Sequence, residues 1–242
     1  MTEALAFVNY YARIGYFRHV QTVCNDALKK RGGNDPTMLF WRALGMLQEG
    51  SVNEAIREYE TVASRGDMQL NLPVKLALLH AHKASKVVDT EEVMRLEQEV
   101  DMEDSNAPDR ARLMAAQLLW HLGDLAQAKD QVTRLLQLQS HSVPGLALLG
   151  WLELQEAEEE LAGGYGDEHL SAAEQSFGRA LEASASKKDL EALMGRARVH
   201  QLNRQYKEAL DQLNQVRATT TPTENATRPV SLTQPRPSRV YC

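Results

Sequence analysis

Apolar and small residues recur along this chain in a single six-position register. Tyr11, Gly15, Phe17, Val20, Cys24 and Ala27 are matched by Met46, Gly50, Val52, Ala55, Tyr59 and Val62. The same steps give Leu119, Gly123, Leu125, Ala128, Val132 and Leu135, and then His200, Arg204, Tyr206, Ala209, Leu213 and Val216. The spacing predicts a pair of helices in each segment. An apolar residue closes the first helix, glycine takes a turn conformation that other residues adopt at a cost, and an apolar side chain plugs the turn. The small residue three positions on lets two helices approach, and the next two positions share its face at helical periodicity.

Four of the eight prolines, Pro36, Pro73, Pro108 and Pro144, stand near the starts of successive units at intervals in the middle thirties. Each suits the first turn of a helix, where its missing N–H is not needed. A helix pair of this length cannot bury a hydrophobic face alone and becomes stable by stacking on its neighbours, so the pattern predicts an all-α solenoid of about six tetratricopeptide-like helix–turn–helix repeats. Two units are irregular. The third runs through Ser85 to Thr90 before a second helix carrying Val93, Leu96 and Val100. The fifth carries an insert with Glu156, Glu158, Glu159, Glu160, Gly163, Gly164 and Gly166, which reads as an extended acidic helix end and a mobile loop. After Val216 the register stops. Residues 217–242 hold six Thr and four Pro and little apolar material to offset the entropy of ordering, so the expected organisation is a solenoid over 1–216 and a disordered Pro/Thr/Arg-rich tail over 217–242.

Composition fits a helical repeat: aromatic residues make up only 6% of the chain. The tail holds four Arg and one Glu, so the acidic excess of the chain lies in residues 1–216. An acidic solenoid is poorly suited to nucleic acid, whose affinity is built from Lys and Arg on phosphates. Two cysteines, Cys24 and Cys242, form neither a disulfide framework nor a metal quartet and fit a reducing, cytoplasmic setting. The stretch from Met1 lacks a basic leader and is interrupted at Asn9, and no run is long enough to span a membrane, so direct membrane insertion is not expected.

Sites of chemistry are hard to find. His80 and His82 lie two apart on one helix and point to different sides, so they do not share a metal, and one packed and one solvated imidazole are expected. Gly163-Gly-Tyr-Gly166 lacks the Lys-Ser or Lys-Thr and the preceding strand of a phosphate loop. Glu158, Glu159 and Glu160 fan around a helix as a solvated face, and Asn225-Ala-Thr227 matches a glycosylation sequon that needs a secretory route. No catalytic, cofactor-binding or metal-ligating set emerges, and no enzyme is expected. Trp41, Trp120 and Trp151 fall in first helices, which line the inner surface of such a stack. Projecting the concave positions selects Asn9, Arg110, Gln117, Trp120, His121, Arg198 and Gln201 as a candidate partner-binding surface. A carboxylate clamp of the chaperone-binding type is disfavoured, since Leu5 stands where Lys is needed and Trp41 where a second Asn is needed.

Several segments are more specific than the repeat itself: Asn9-Tyr-Tyr11 with Tyr16-Phe17 and His19-Val20, Asn34-Asp-Pro36, Leu76 to Lys83, Leu119-Trp-His121 with Gly123, and Gly150-Trp151-Leu152. On these, residues 5–216 resemble the amino-terminal region of the tetratricopeptide repeat protein 21 family, the large repeat subunit of intraflagellar transport complex A, in a short form. The resemblance implies a non-enzymatic scaffold at the cilium and basal body, without a cofactor, that supports retrograde ciliary transport through contacts with other complex A subunits. A free peptide-binding module of the co-chaperone type is the alternative expectation.

Overall fold

The computed structural model of the chain describes residues 3–30, 32–161, 167–186 and 188–220. Among these, twelve helices and no strand are found, paired in chain order: α1 (Glu3–Arg13) with α2 (Phe17–Lys30), α3 (Pro36–Gln48) with α4 (Val52–Ala63), and α5 (Asn71–Lys83) with α6 (Thr90–Asn106). They continue as α7 (Asp109–Leu122) with α8 (Leu125–Leu138), α9 (Val143–Leu161) with α10 (Asp167–Ala183), and α11 (Leu190–Leu202) with α12 (Tyr206–Thr220). This is the all-α solenoid that the register predicts. No helix among the described residues is long and apolar enough to cross a membrane.

Four units close their first helix in the same way. The N–H groups of Tyr16, Ser51, Asp124 and Gln205 donate to the carbonyls of Tyr11, Met46, Leu119 and His200 at 2.8, 2.9, 2.9 and 2.8 Å. One residue earlier, the N–H groups of Gly15, Gly50, Gly123 and Arg204 donate to Ala12, Leu47, Trp120 and Gln201. This double bond pattern satisfies carbonyls that a helix end leaves open, and it needs a left-handed residue at the turn. The φ angles there are +74° at Gly15, +85° at Gly50, +89° at Gly123 and +58° at Arg204. Arg204 therefore adopts a backbone that glycine takes freely, because the same hydrogen bonds demand it.

Helix starts are equally explicit. Asp35 accepts from the N–H groups of Thr37 and Met38, with Pro36 as the first residue of α3. Asp89, Asp124 and Asp189 cap α6, α8 and α11 in the same manner. Asp and Pro thus mark the boundaries from which the apolar stripes are counted.

The stripes bury as their spacing requires. Val20, Cys24, Ala55, Tyr59, Ala128 and Val132 are fully buried. In the first unit Leu28 is buried and Ala27 only half-buried, so the last contact shifts by one residue there. Burial pushes the Cys24 thiol up to about 12, which makes it a core residue and no nucleophile. Phe177 of α10 wedges between α9 and α11. A Cβ added at Gly150 or Gly195 would lie 2.6 or 2.2 Å from its ring, so both positions must be glycine for the ring to enter.

The irregular units are held by other means. Residues 84–89 join α5 to α6, and Asp104 of α6 then binds Arg112 of α7 at 3.2 Å and Gln131 of α8 at 2.7 Å, and pairs with Arg134. Arg112 is buried, and this network ties the third unit to the fourth. In the fifth unit α9 carries the acidic stretch to Leu161, while Gly163, Gly164 and Gly166 lie outside the described residues. Helix α12 continues to Thr220, beyond the Val216 boundary drawn from the register, and residues 221–242 lie outside the described residues.

Two sets of substitutions test this architecture. Ala55→Trp or Ala128→Trp should overpack a fully buried contact and lower stability by about 1–3 kcal/mol or more, read by urea titration; an unchanged midpoint would refute the register. Gly50→Ala should destabilise by about 1 kcal/mol while Arg204→Gly stabilises by a similar amount, because only the conformational cost of the left-handed turn changes.

Candidate functional site

The inner faces of the first helices meet one another across the stack, between units that are not neighbours in sequence. His121 of α7 stacks on Trp120, with ring centroids 5.0 Å apart, and meets the edge of Trp41 of α3 at 6.0 Å. Gln48 of α3 donates to the His121 carbonyl at 3.0 Å. One layer over, Arg13 at the end of α1 donates to Glu191 of α11 at 2.7 Å and places its guanidinium carbon 3.8 Å from the centre of the Trp151 ring of α9. Both members of the ion pair are largely shielded, and Glu191 lies in the first turn of α11, where the helix dipole favours an anion. The Trp120 indole N–H donates to Gln155 of α9 at 2.5 Å.

This closure sets the electrostatics of the seam. Burial, with the positive charge of Arg13, pushes the His121 imidazole down to about 3. It stays neutral and acts as a third flat ring between Trp41 and Trp120.

Beyond the seam opens a groove of about 1100 Å³ bounded by α1, α9, α11 and α12, with Trp120 at its side. Tyr10, Ile14, Tyr206, Leu210 and Leu213 supply exposed apolar wall, while Glu158, Glu159 and Arg198 supply charge. Arg198 donates to Glu158 at 2.7 Å and to Gln201 at 3.0 Å, and Gln155 donates to Glu159 at 3.0 Å. A separate cavity of about 40 Å³ lies inside the seam.

The candidate concave residues divide between these two spaces. Trp120, Arg198 and Gln201 line the groove, whereas Asn9, Gln117 and His121 line the small cavity together with Trp120. Arg110 is exposed on α7 and lines neither. Sequence reasoning missed Arg13, whose partner Glu191 is 178 residues away, and it missed the contribution of Tyr10 and Ile14, which flank the recognised Tyr11. Trp41 is buried, while Trp120 and Trp151 are half-buried and contribute to the groove.

Histidines and carboxylates form structural contacts. His80 and His82 are both half-buried, in place of one packed and one solvated ring, and burial lowers the His80 pKa. Glu153 and Glu156 of α9 bring ligand atoms within 4.8 Å of His169 of α10. The Lys129 ammonium already stands among them, 2.9 Å from Glu153 and 2.7 Å from Glu156, so the group is an ion-pair network joining α8, α9 and α10. The hydrogen bond to Glu153 raises the His169 pKa. Glu153 and Glu156, three apart on α9, were its visible trace in sequence.

A family model described as the tetratricopeptide repeat protein 21 N-terminal ARM repeat matches residues 8–223. The chain belongs to the tetratricopeptide repeat protein 21 family. It is 33% identical over 211 residues to tetratricopeptide repeat protein 21B of Xenopus laevis, covering 87% of this chain and 15% of that protein. Against the human 21B protein it is 30% identical over 217 residues, covering 88% of this chain and again 15% of the relative. Among solved structures, the human IFIT1 dimer with PPP-AAAA aligns at a TM-score of 0.47 and 15% identity, over 84% of this chain and 45% of that one. The chain therefore spans about one seventh of the curated family members that it matches, and within this tetratricopeptide repeat protein 21 segment the closed seam and open groove are built entirely from its own residues.

Acid should weaken the seam through His121. The unfolded chain takes up that proton near 6.5 and the folded chain near 3, so between these values the unfolded state holds the extra proton and stability falls as pH falls. Thermal melts across this range should show a steeper acid loss for the wild type than for His121→Phe; parallel curves would show that His121 is not held neutral.

Proposed function

We propose that the chain is a non-enzymatic scaffold and adaptor of intraflagellar transport complex A, supporting retrograde ciliary transport through protein–protein contacts. The observation that carries this reading is the family match across residues 8–223. On it, the chain works in the cytoplasm, at the basal body and in the cilium, and its partners are other complex A subunits. The chemistry of the groove supports the non-enzymatic part. Its charged groups are engaged with neighbours, as Arg13 is with Glu191 and Arg198 with Glu158, and the buried Cys24 thiol is held protonated. Scaffold contacts of this kind are dominated by a few aromatic and arginine anchors within a broad surface. We assign the partner-facing role to Trp120, Arg198 and Gln201 on the groove wall, with Arg110 exposed on α7. Asn9, Gln117 and His121 support that wall from the seam side.

One observation favours a second reading, a free peptide-binding module of the co-chaperone type: the groove is large and apolar enough to hold an extended peptide. The position that a carboxylate clamp would give to a second asparagine is instead Trp41, buried in the seam.

Affinity purification with mass spectrometry from ciliated cells separates the two. The scaffold reading predicts recovery of complex A subunits by residues 1–242, reduced by Arg198→Glu. Recovery of chaperones or unrelated peptide-bearing proteins without transport subunits would overturn it in favour of the second.

A further inference from the structure

Two walls of the groove are the two uncovered halves of the interface that repeats along the stack. On one wall, Leu213 of α12 holds the register position of Cys24, Tyr59 and Val132. Those three are 0% exposed, on helices α2, α4 and α8 against which the following first helices α3, α5 and α9 pack. Leu213 is 47% exposed, and Leu210 beside it 60%. On the other wall, Tyr10 of α1 holds the position of Gly45, Leu118 and Val199, which are all buried, and is itself 41% exposed. In α3 that position faces the preceding unit: a Cβ added at Gly45 would lie 2.8 Å from the Gln21 side chain and 3.0 Å from the Phe17 carbonyl of α2. Ile14, also exposed, stands one turn on, where α3 has Glu49 bound to Arg18 of α2 at 2.8 Å. The groove is thus an interruption in a contact that the rest of the stack makes, and apolar side chains gathered in one concavity mark a surface that another molecule covers.

We propose that the groove receives one α-helix of a partner protein, apolar on two opposite sides and carrying a Lys or Arg that meets Glu159. This occupant deepens the adaptor reading, on which it rests, by specifying what the partner presents. The walls select a helix. Tyr206, Leu210 and Leu213 follow at i, i+4 and i+7 on α12, and Tyr10 and Ile14 at i and i+4 on α1, so both walls offer ridges between which the ridges of a third helix pack. Because those walls are helices, their backbone groups bond internally and present no edge to an extended ligand, whereas a helix satisfies its own N–H and C=O groups. Space agrees: at a helix diameter of about 10 Å, the groove of about 1100 Å³ holds about 14 Å of helix, or roughly nine residues. One side of that helix meets α12 and the other meets α1, so both must be apolar.

Charge fixes the remaining requirement. Arg13, Arg198, Glu158 and Glu159 line the groove. Arg13 is bound to Glu191 at 2.7 Å and covered by the Trp151 ring. Arg198 is bound to Glu158 at 2.7 Å and to Gln201 at 3.0 Å. Glu159 meets the neutral amide of Gln155 at 3.0 Å and no cation among the described residues. It stands in the last turn of α9, where the helix dipole adds to its negative charge. A cation beside the apolar surface of the occupant answers it. An exposed pair of this kind sets register and direction more than it adds affinity.

The probe is a fluorescein-labelled, lactam-stapled peptide of about 15 residues, with Leu on two opposite sides of the helix and one Lys between them. Its anisotropy should rise on titration with the full chain. Tyr10→Asp and Leu213→Asp should each weaken binding about tenfold or more, as for a carboxylate set into an apolar contact. Both side chains are partly exposed in the free chain, so helix content by circular dichroism should not change. Glu159→Lys should weaken binding about threefold and strengthen by a similar factor the binding of a peptide with Glu in place of its Lys, a reversal that loss of structure does not give. Equal binding by wild type and both Asp variants, or no binding, would overturn the proposal. A peptide broken by a central proline that binds as tightly as the intact helix would overturn it in favour of an extended ligand. Dimerisation of the chain in sedimentation, abolished by Leu213→Asp, would overturn it in favour of a second copy. The peptide needs no cellular partner, so failure here leaves recovery of complex A subunits, and with it the adaptor reading, untouched.

Discussion

The left-handed turn that closes the first helix of the first, second, fourth and sixth units is the constraint on which the remainder depends. Once the carbonyls at Tyr11, Met46, Leu119 and His200 are satisfied by the residues five positions on, the second helix leaves at a fixed angle. The small residue that follows, such as Ala55 or Ala128, then sets how closely the pair can approach. A unit so built has one apolar flank left over, and only the next unit can cover it. Repetition of the same angle curls the stack until the first helix touches the fifth and sixth units. Arg13 on Trp151 and Glu191 is the point of contact.

That curl separates two kinds of inner surface. Where first helices meet across it, polar and aromatic groups are used up on one another: His121 stacked on Trp120 and edge-on to Trp41, Gln48 on a backbone carbonyl. Where the curl ends, α1 and α12 face each other with nothing among the described residues between them, and the groove remains. The stack is therefore closed at the seam and open at its edge.

Much of this was legible in the chain. The glycine turns at Gly15, Gly50 and Gly123, the Asp-Pro start of α3, and the buried Ala55, Tyr59, Ala128 and Val132 follow from local rules that operate within a few residues. Even Arg204 was legible, because its register position demanded a left-handed turn that its side chain resists. Less visible were features that depend on distant residues. The closure by Arg13 results from a small rotation summed over several units, and no local pattern encodes it. Asp104 serves three helices at once, and the pairing of His169 with Glu153 and Glu156 joins residues across the fifth unit's insert. The concave list placed Trp120, Arg198 and Gln201 on the groove because they occupy regular positions. Arg110, which that list grouped with them, is exposed in the first turn of α7 and lines neither cavity.

The solenoid curls enough for its first helix to bind its last two units. A double-mutant cycle on Arg13→Met and Glu191→Gln measures this directly, since the two residues can be coupled only if α1 reaches α11. A coupling free energy of about 1–3 kcal/mol between the two substitutions is expected in urea unfolding. Additivity within about 0.5 kcal/mol would mean that the ends stand apart and that the groove between α1 and α12 is not formed.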